Sequence, residues 1–102
     1  MSEEYIEFSA PCCYSSRECR TRRRLVIDVQ NKKVIGVAWA VRCNRGVERK
    51  FKTRANNAVV EAYVSNRGNL YITIIYLPSG VDKGEVEKIA KGYLGFYEEG
   101  VI

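Results

Sequence analysis

Apolar and polar positions along the chain change period several times, and each change marks an element. Glu4 to Ser9 alternates as a short strand would, and Pro11 ends it. Cys12 to Arg23 has no clean period and reads as loop or a short helix. Leu25 to Val29 is apolar and β-branched, Gln30 to Lys33 supplies a turn, and Val34 to Cys43 follows as a long strand. Strict alternation along that strand sends Ile35, Val37, Trp39 and Val41 to one face and Val34, Gly36, Ala38 and Ala40 to the other. Small side chains admit close approach, so the second face is expected to receive a helix. Val47, Phe51 and Thr53 then alternate with Glu48, Lys50, Lys52 and Arg54, and Arg49 on the apolar side suggests an edge strand. Ala58 to Ser65 fits either a helix or a strand. Leu70 to Leu77 is apolar on both faces apart from Thr73, which predicts a central strand covered on both sides.

The last segment reads as a helix. Asp82 is placed to cap it with Glu85 reaching back, and Val86, Ile89, Ala90, Tyr93, Leu94 and Tyr97 make one apolar stripe that ends near Gly100. Gly84, Gly92 and Gly95 each weaken it by about 1 kcal/mol relative to Ala, so packing on a sheet must hold it.

An internal echo settles the ambiguous segment. Val37, Ala40, Cys43 and Asn44-Arg45-Gly46 return as Val59, Ala62, Ser65 and Asn66-Arg67-Gly68, in units 34–54 and 58–77. Asn and Gly accept the positive φ that tight turns require, so each triplet is expected to close a hairpin. The expected fold is α+β: one domain, 1–102, with an antiparallel sheet of about five strands built from two similar hairpin motifs and a C-terminal helix packed on it. Two like motifs side by side leave a groove or an edge between them, where small proteins bind partners.

Charge is concentrated in the middle of the chain. Residues 17–54 carry +10, residues 1–16 carry −3 and residues 55–102 carry −2, within a net +5. Arg17, Arg20, Arg22, Arg23 and Arg24 fall within eight positions, with Arg45, Arg49, Lys50, Lys52 and Arg54 further on. Such a density attracts phosphate or acidic protein surfaces. It reads equally as a solvated or thermostabilising charged surface. No apolar run approaches the roughly 18 residues of a membrane span, and the acidic Met1-Ser2-Glu3-Glu4 start lacks the features of a secretory signal, so a location inside a cell is expected.

The chain has no His, which removes the commonest general base and every Ser-His or Cys-His pair. No Walker-type loop or dinucleotide fingerprint is present. Cys19 beside Arg20 is the single conceivable nucleophile, and no base or oxyanion motif accompanies it. Cys12, Cys13, Cys19 and Cys43 lack the paired spacing of a zinc site. They read as disulfide candidates, with Cys43 able to tie down the Arg-rich segment, or as buried thiols in a reducing cell. The expectation is no enzyme, no metal and no cofactor.

The 102-residue length, the two Asn-Arg-Gly triplets, the richness in Tyr, Ile, Lys and Arg, the lack of His and the Cys12-Cys13 pair together carry a resemblance. The chain resembles the small orphan proteins of filamentous viruses of hyperthermophilic archaea, of the Acidianus lipothrixvirus type. The resemblance implies a hot, acidophilic host, a place in the host cytoplasm or virion, and disulfides that survive there. It implies no catalytic or binding residues. Two functions follow from the residues themselves. The first is a non-enzymatic interaction module that takes a protein or peptide segment at a groove or sheet edge, with Trp39, Tyr63 and Tyr71 as candidate contacts. The second is a nucleic-acid binder using the basic residues on phosphates and those aromatics for stacking.

Overall fold

The computed structural model describes residues 4–43 and 49–98, with side chains as far as Tyr93. The order of elements is β1 (Tyr5–Ser9), β2 (Cys12–Cys13), α1 (Ser16–Thr21), β3 (Arg22–Asp28), β4 (Lys33–Trp39), β5 (Val41–Arg42), β6 (Lys50–Arg54), β7 (Ala58–Val64), β8 (Leu70–Tyr76) and α2 (Lys83–Glu98). The fold is α+β, with an antiparallel sheet and a C-terminal helix, as the sequence implies.

The main sheet has four strands rather than about five, in the order β4-β3-β7-β8. Two hairpins build it, β3–β4 and β7–β8, joined through the antiparallel β3–β7 pair. Only the second hairpin carries an Asn-Arg-Gly triplet. Its turn is held by the Gly68 amide donating to the Ser65 carbonyl at 3.0 Å, and Gly68 takes φ +81°, the left-handed value for which Gly is suited. Asn44, Arg45 and Gly46 lie outside the described residues. The strands flanking them pair elsewhere: β4 with β3, β5 with β2, and β6 with β1 in a separate two-stranded ribbon.

Both faces of the sheet are covered, by different elements. On one face, α2 buries Val86 and Ala90 against Leu25, Ile27, Ala58, Val60 and Ala62. Each fully buried Leu, Ile or Val side chain contributes about 1.5–3 kcal/mol by leaving water. Asp82 caps the helix: its Oδ1 accepts from the Gly84 amide at 3.4 Å. Gly100, expected to end it, lies outside the described residues, as do the side chains of Leu94 and Tyr97. On the other face the β1–β6 ribbon packs Phe8 against Val26, Ala38 and Val59.

The helix therefore does not lie on the small-residue face. Gly36 and Ala38 face the ribbon, and the helix takes Val34 and Val37. A bulge accounts for the place of Val34. The β3–β4 register passes from Val26↔Gly36 to Ile27↔Val34, leaving Ile35 as an extra residue, and this insertion returns Val34 to the helix face. A matching shift in β7–β8, from Val59↔Tyr76 to Val60↔Ile74, leaves Ile75 extra. β8 is also an edge strand, not the central one expected, and its Tyr71, Thr73 and Ile75 are exposed.

Disulfides fasten the irregular N-terminal part. Cys12 pairs with Cys43 beside the parallel β2–β5 contact, and Cys13 pairs with Cys19 at the start of the chain into α1. No described cysteine is free.

Candidate interaction cleft

The ribbon is offset across the sheet, and the offset makes a cleft. Alternation along β6 turns Phe51 and Thr53 toward the sheet while Lys50, Lys52 and Arg54 face solvent. Phe51 pairs with Phe8 in register, and the rings stack with centroids 5.7 Å apart. Phe8 is buried, yet Phe51 overhangs β4 and stays 39% exposed. Beneath the overhang lies an open apolar cleft of about 250 Å³, lined by Phe8, Val26, Ile35, Gly36, Ala38 and Phe51, with Lys52 at its rim.

Two local features keep the cleft open. Gly36 has no side chain, so the floor is Val26 itself; a Cβ at Gly36 would stand 3.6 Å from Val26, in ordinary contact. The bulge places Ile35 on the same wall, where it is 49% exposed. β4 is the terminal strand of the sheet, and β6 pairs only with β1 among the described residues. The cleft thus runs between two open strand edges. Such edges present unpaired backbone donors and acceptors to a further strand.

The aromatic residues singled out in the sequence do not gather at this cleft. Tyr63 and Tyr71 are register partners on β7 and β8, stacked at 6.5 Å, with the Arg22 guanidinium over Tyr63 at 4.9 Å. They lie on the ribbon face. Trp39 pairs in register with Arg23 and so belongs to the face of Ala62, at the far end of β4, with the Arg23 guanidinium 4.5 Å from its ring. Phe8, Phe51, Ile35 and Gly36 are the residues that sequence reasoning missed. The signal for Phe51 was present in the alternation of β6, but nothing local pairs it with Phe8, which is 43 positions away.

The basic residues divide into two groups. Arg22, Arg23 and Arg24 are structural. Arg22 bridges Glu18 at 2.9 Å and donates to the Cys12 carbonyl at 3.0 Å. Arg23 is buried, and its Nη2 donates to the Arg20 carbonyl at 3.0 Å. Arg24 donates to the Ser9 carbonyl and hydroxyl and bridges Glu61 at 3.5 Å, fastening the ribbon to the sheet. The second group is exposed: Arg17, Arg20, Arg49, Lys50, Lys52 and Arg54. Arg17 donates to the Ser65 carbonyl at 3.0 Å, and Lys50 bridges Glu7 at 3.6 Å. Arg45 lies outside the described residues. The outer face of β6 consequently carries Lys50, Lys52 and Arg54, of which Lys52 lines the cleft.

Among the described residues no group of three or more His, Cys, Asp or Glu is gathered to hold a metal ion, and no helix is long and apolar enough to cross a membrane. Among the described residues, Asp28 is the one carboxyl whose pKa is clearly displaced: hydrogen bonds from the Asn31 side chain and then its amide hold it below the ordinary 3.8. It shapes the β3–β4 turn. No family model, no curated protein and no solved structure matches the chain.

Proposed function

We propose that the protein is a non-enzymatic interaction module that captures an extended peptide segment in the cleft between β4 and β6. The observation that carries this reading is an apolar cleft bounded by open strand edges, with Phe8 and Phe51 stacked over it. A segment laid along β4 would gain main-chain hydrogen bonds, and one or two of its apolar side chains would enter the cleft. The volume, about 250 Å³, falls below the roughly 300–1,000 Å³ of small-molecule sites and suits side chains delivered by a strand. Lys52 in its lining, with Lys50 and Arg54 further along the same strand, favours acidic residues flanking the apolar ones.

The echoed units 34–54 and 58–77 are read as two similar motifs; the cleft is bordered by β4 and β6 of the first, and β7–β8 is the hairpin of the second. The protein is read as viral, working in the host cytoplasm or the virion, with a viral or host protein segment as its partner. The support for that placement is the resemblance in the sequence.

Nucleic-acid binding is the second reading, favoured by the exposed stripe of Arg49, Lys50, Lys52 and Arg54. Salt separates the two. Phosphate neutralisation makes log affinity fall steeply and linearly with log salt, whereas main-chain pairing and apolar burial respond weakly. The test is a titration with short DNA, RNA and a library of extended peptides at low and high salt. Peptide binding that survives high salt supports the cleft. Strong, salt-sensitive nucleic-acid binding with no peptide hits would overturn it.

A further inference from the structure

The outward hydrogen-bonding groups of the edge strand β4 follow from its register. The Ala40 amide donates to the Arg22 carbonyl at 3.1 Å. Alternation from that pair turns the N–H and C=O groups of Ala38 and Gly36 toward their register partners on β3, Arg24 and Val26. The bulge lies beyond Val26, so the same phase holds from Ala40 to Gly36, and the groups of Val37 and Trp39 face the outer edge. An antiparallel strand added there would exchange hydrogen bonds with Val37 and Trp39. The residue of that strand opposite Gly36 would make no main-chain bond to β4, and its side chain would stand on the face of the cleft.

Gly36 decides what that side chain can be. A pair of this non-hydrogen-bonded kind brings its Cα atoms to about 4.5 Å, the closest approach between antiparallel strands. Gly36 has no side chain to fill the space, and a Cβ there would meet only Val26 within 4 Å. Phe51, stacked on Phe8 with centroids 5.7 Å apart and rings inclined by 26°, is 39% exposed along the same cleft. An aromatic residue facing a Gly on an edge strand covers the bare backbone. A third ring beside Phe51 also extends the aromatic pair. The cleft, about 250 Å³, is larger than the roughly 150 Å³ of an apolar cavity that holds benzene, so one ring fits.

Resting on the reading of the cleft as a peptide site, we infer that its partner is an extended segment anchored by one aromatic side chain, which lies opposite Gly36 and packs against Phe51. The segment runs antiparallel to β4, which is the more stable pairing per residue and the one β3 already makes with it. The residue before the anchor then faces Val37, and the one two further back faces Trp39, both on the opposite face of the sheet, where β-branched side chains pair well. Lys52 lines the cleft, Lys33 and Arg42 are exposed at the two ends of the β4–β5 edge, and among the described residues no carboxylate is in the lining. Acidic residues therefore belong at the ends of the segment.

The probe is the peptide Glu-Val-Thr-Val-Phe-Thr-Glu, acetylated and amidated at its ends, titrated into the full chain and followed by backbone amide shifts. Replacing its Phe by Ala should weaken binding about tenfold or more, and by Leu about threefold. N-methylation of the Val before Phe removes the donor to the Val37 carbonyl and should weaken binding at least about tenfold. N-methylation of the Phe, whose N–H points away from β4, should change affinity by less than about threefold. On Phe51→Ala the preference for Phe over Ala should shrink to about threefold or less, with circular dichroism matching the native chain. The N-methyl pair needs no change to the protein and decides the register whether or not that variant folds. Equal binding of the Phe and Ala peptides, tolerance of methylation at Val but not at Phe, or library binders that lack an aromatic residue would each overturn the anchor while leaving the cleft reading in place. No binding by this peptide or by the extended library would overturn both.

Discussion

Removing Arg24 separates a structural arginine from a phosphate contact. Its guanidinium donates to the Ser9 carbonyl and hydroxyl and bridges Glu61 at 3.5 Å, with the two side chains 18% and 23% exposed. A charge-assisted hydrogen bond contributes about 1.5–3 kcal/mol, and breaking a fully buried ion pair costs about 3–5 kcal/mol. Partial exposure and the length of the bridge to Glu61 reduce the second figure. Arg24→Ala should therefore lose about 2–3 kcal/mol of stability, through the unpaired Glu61 carboxylate and the loosened ribbon. At about 4–8 °C per kcal/mol for a domain of this size, the melting temperature should drop by about 10–20 °C. Urea unfolding of the native chain, Arg24→Ala, Glu61→Ala and the double variant measures the coupling directly, and about 1 kcal/mol of non-additivity is expected. Lys52→Ala, on the solvent face of β6, should stay within about 0.5 kcal/mol of native. A stable Arg24→Ala protein with no coupling to Glu61 would refute the assignment of the Arg run to the interior.

The disulfides should contribute unequally: the chain-entropy relation gives about 3.7 kcal/mol for the Cys12–Cys43 loop and about 2.2 kcal/mol for Cys13–Cys19. Paired Ser variants compared by urea midpoint check that order. Asp28 should make stability fall in acid. Because its folded pKa lies below the ordinary 3.8, its contribution is complete above that value and is lost as pH falls through the folded pKa. The difference in urea midpoint between native and Asp28→Ala should therefore be present at neutral pH and shrink in acid as the pH falls below 3.8.

Most elements were legible because their periods are clean. β1, β3, β8 and the capped helix α2 arise where alternation, an apolar run or the helical stripe predicts them, and β7, ambiguous by its period, arises where the internal echo favours a strand. Two single-residue insertions were not legible. Ile35 and Ile75 look like ordinary strand residues, yet each is the extra residue of a bulge, and the bulge reassigns every position beyond it to the opposite face. This is why Val34 joins Val37 under α2 instead of lying with Gly36 and Ala38 beneath the ribbon. The apolar run of β8 was read correctly as a strand and wrongly as central, since the sequence of a strand does not record how many neighbours it has. The division of the Arg run was not legible for a related reason. Solvent and a carboxylate 37 positions away are equally good partners for Arg24 in the sequence alone. The cleft joins β4 to a ribbon strand across a stretch of chain with no local signal, so its lining residues emerge only from tertiary packing.

The most direct test is to map an extended, apolar peptide with acidic flanks onto the labelled protein by backbone amide chemical shifts, with Gly36→Val as the blocking variant. A Val side chain at position 36 fills the cleft from its floor. It suits a strand, and the first atom it adds stands 3.6 Å from Val26, so the variant should fold normally. Shifts should be concentrated in Lys33–Trp39 and Lys50–Arg54, unchanged in position at high salt, and binding should be at least tenfold weaker in Gly36→Val. Shifts confined to Arg17, Arg20 and the solvent face of β6, or equal affinity in Gly36→Val, would contradict the peptide reading of the cleft.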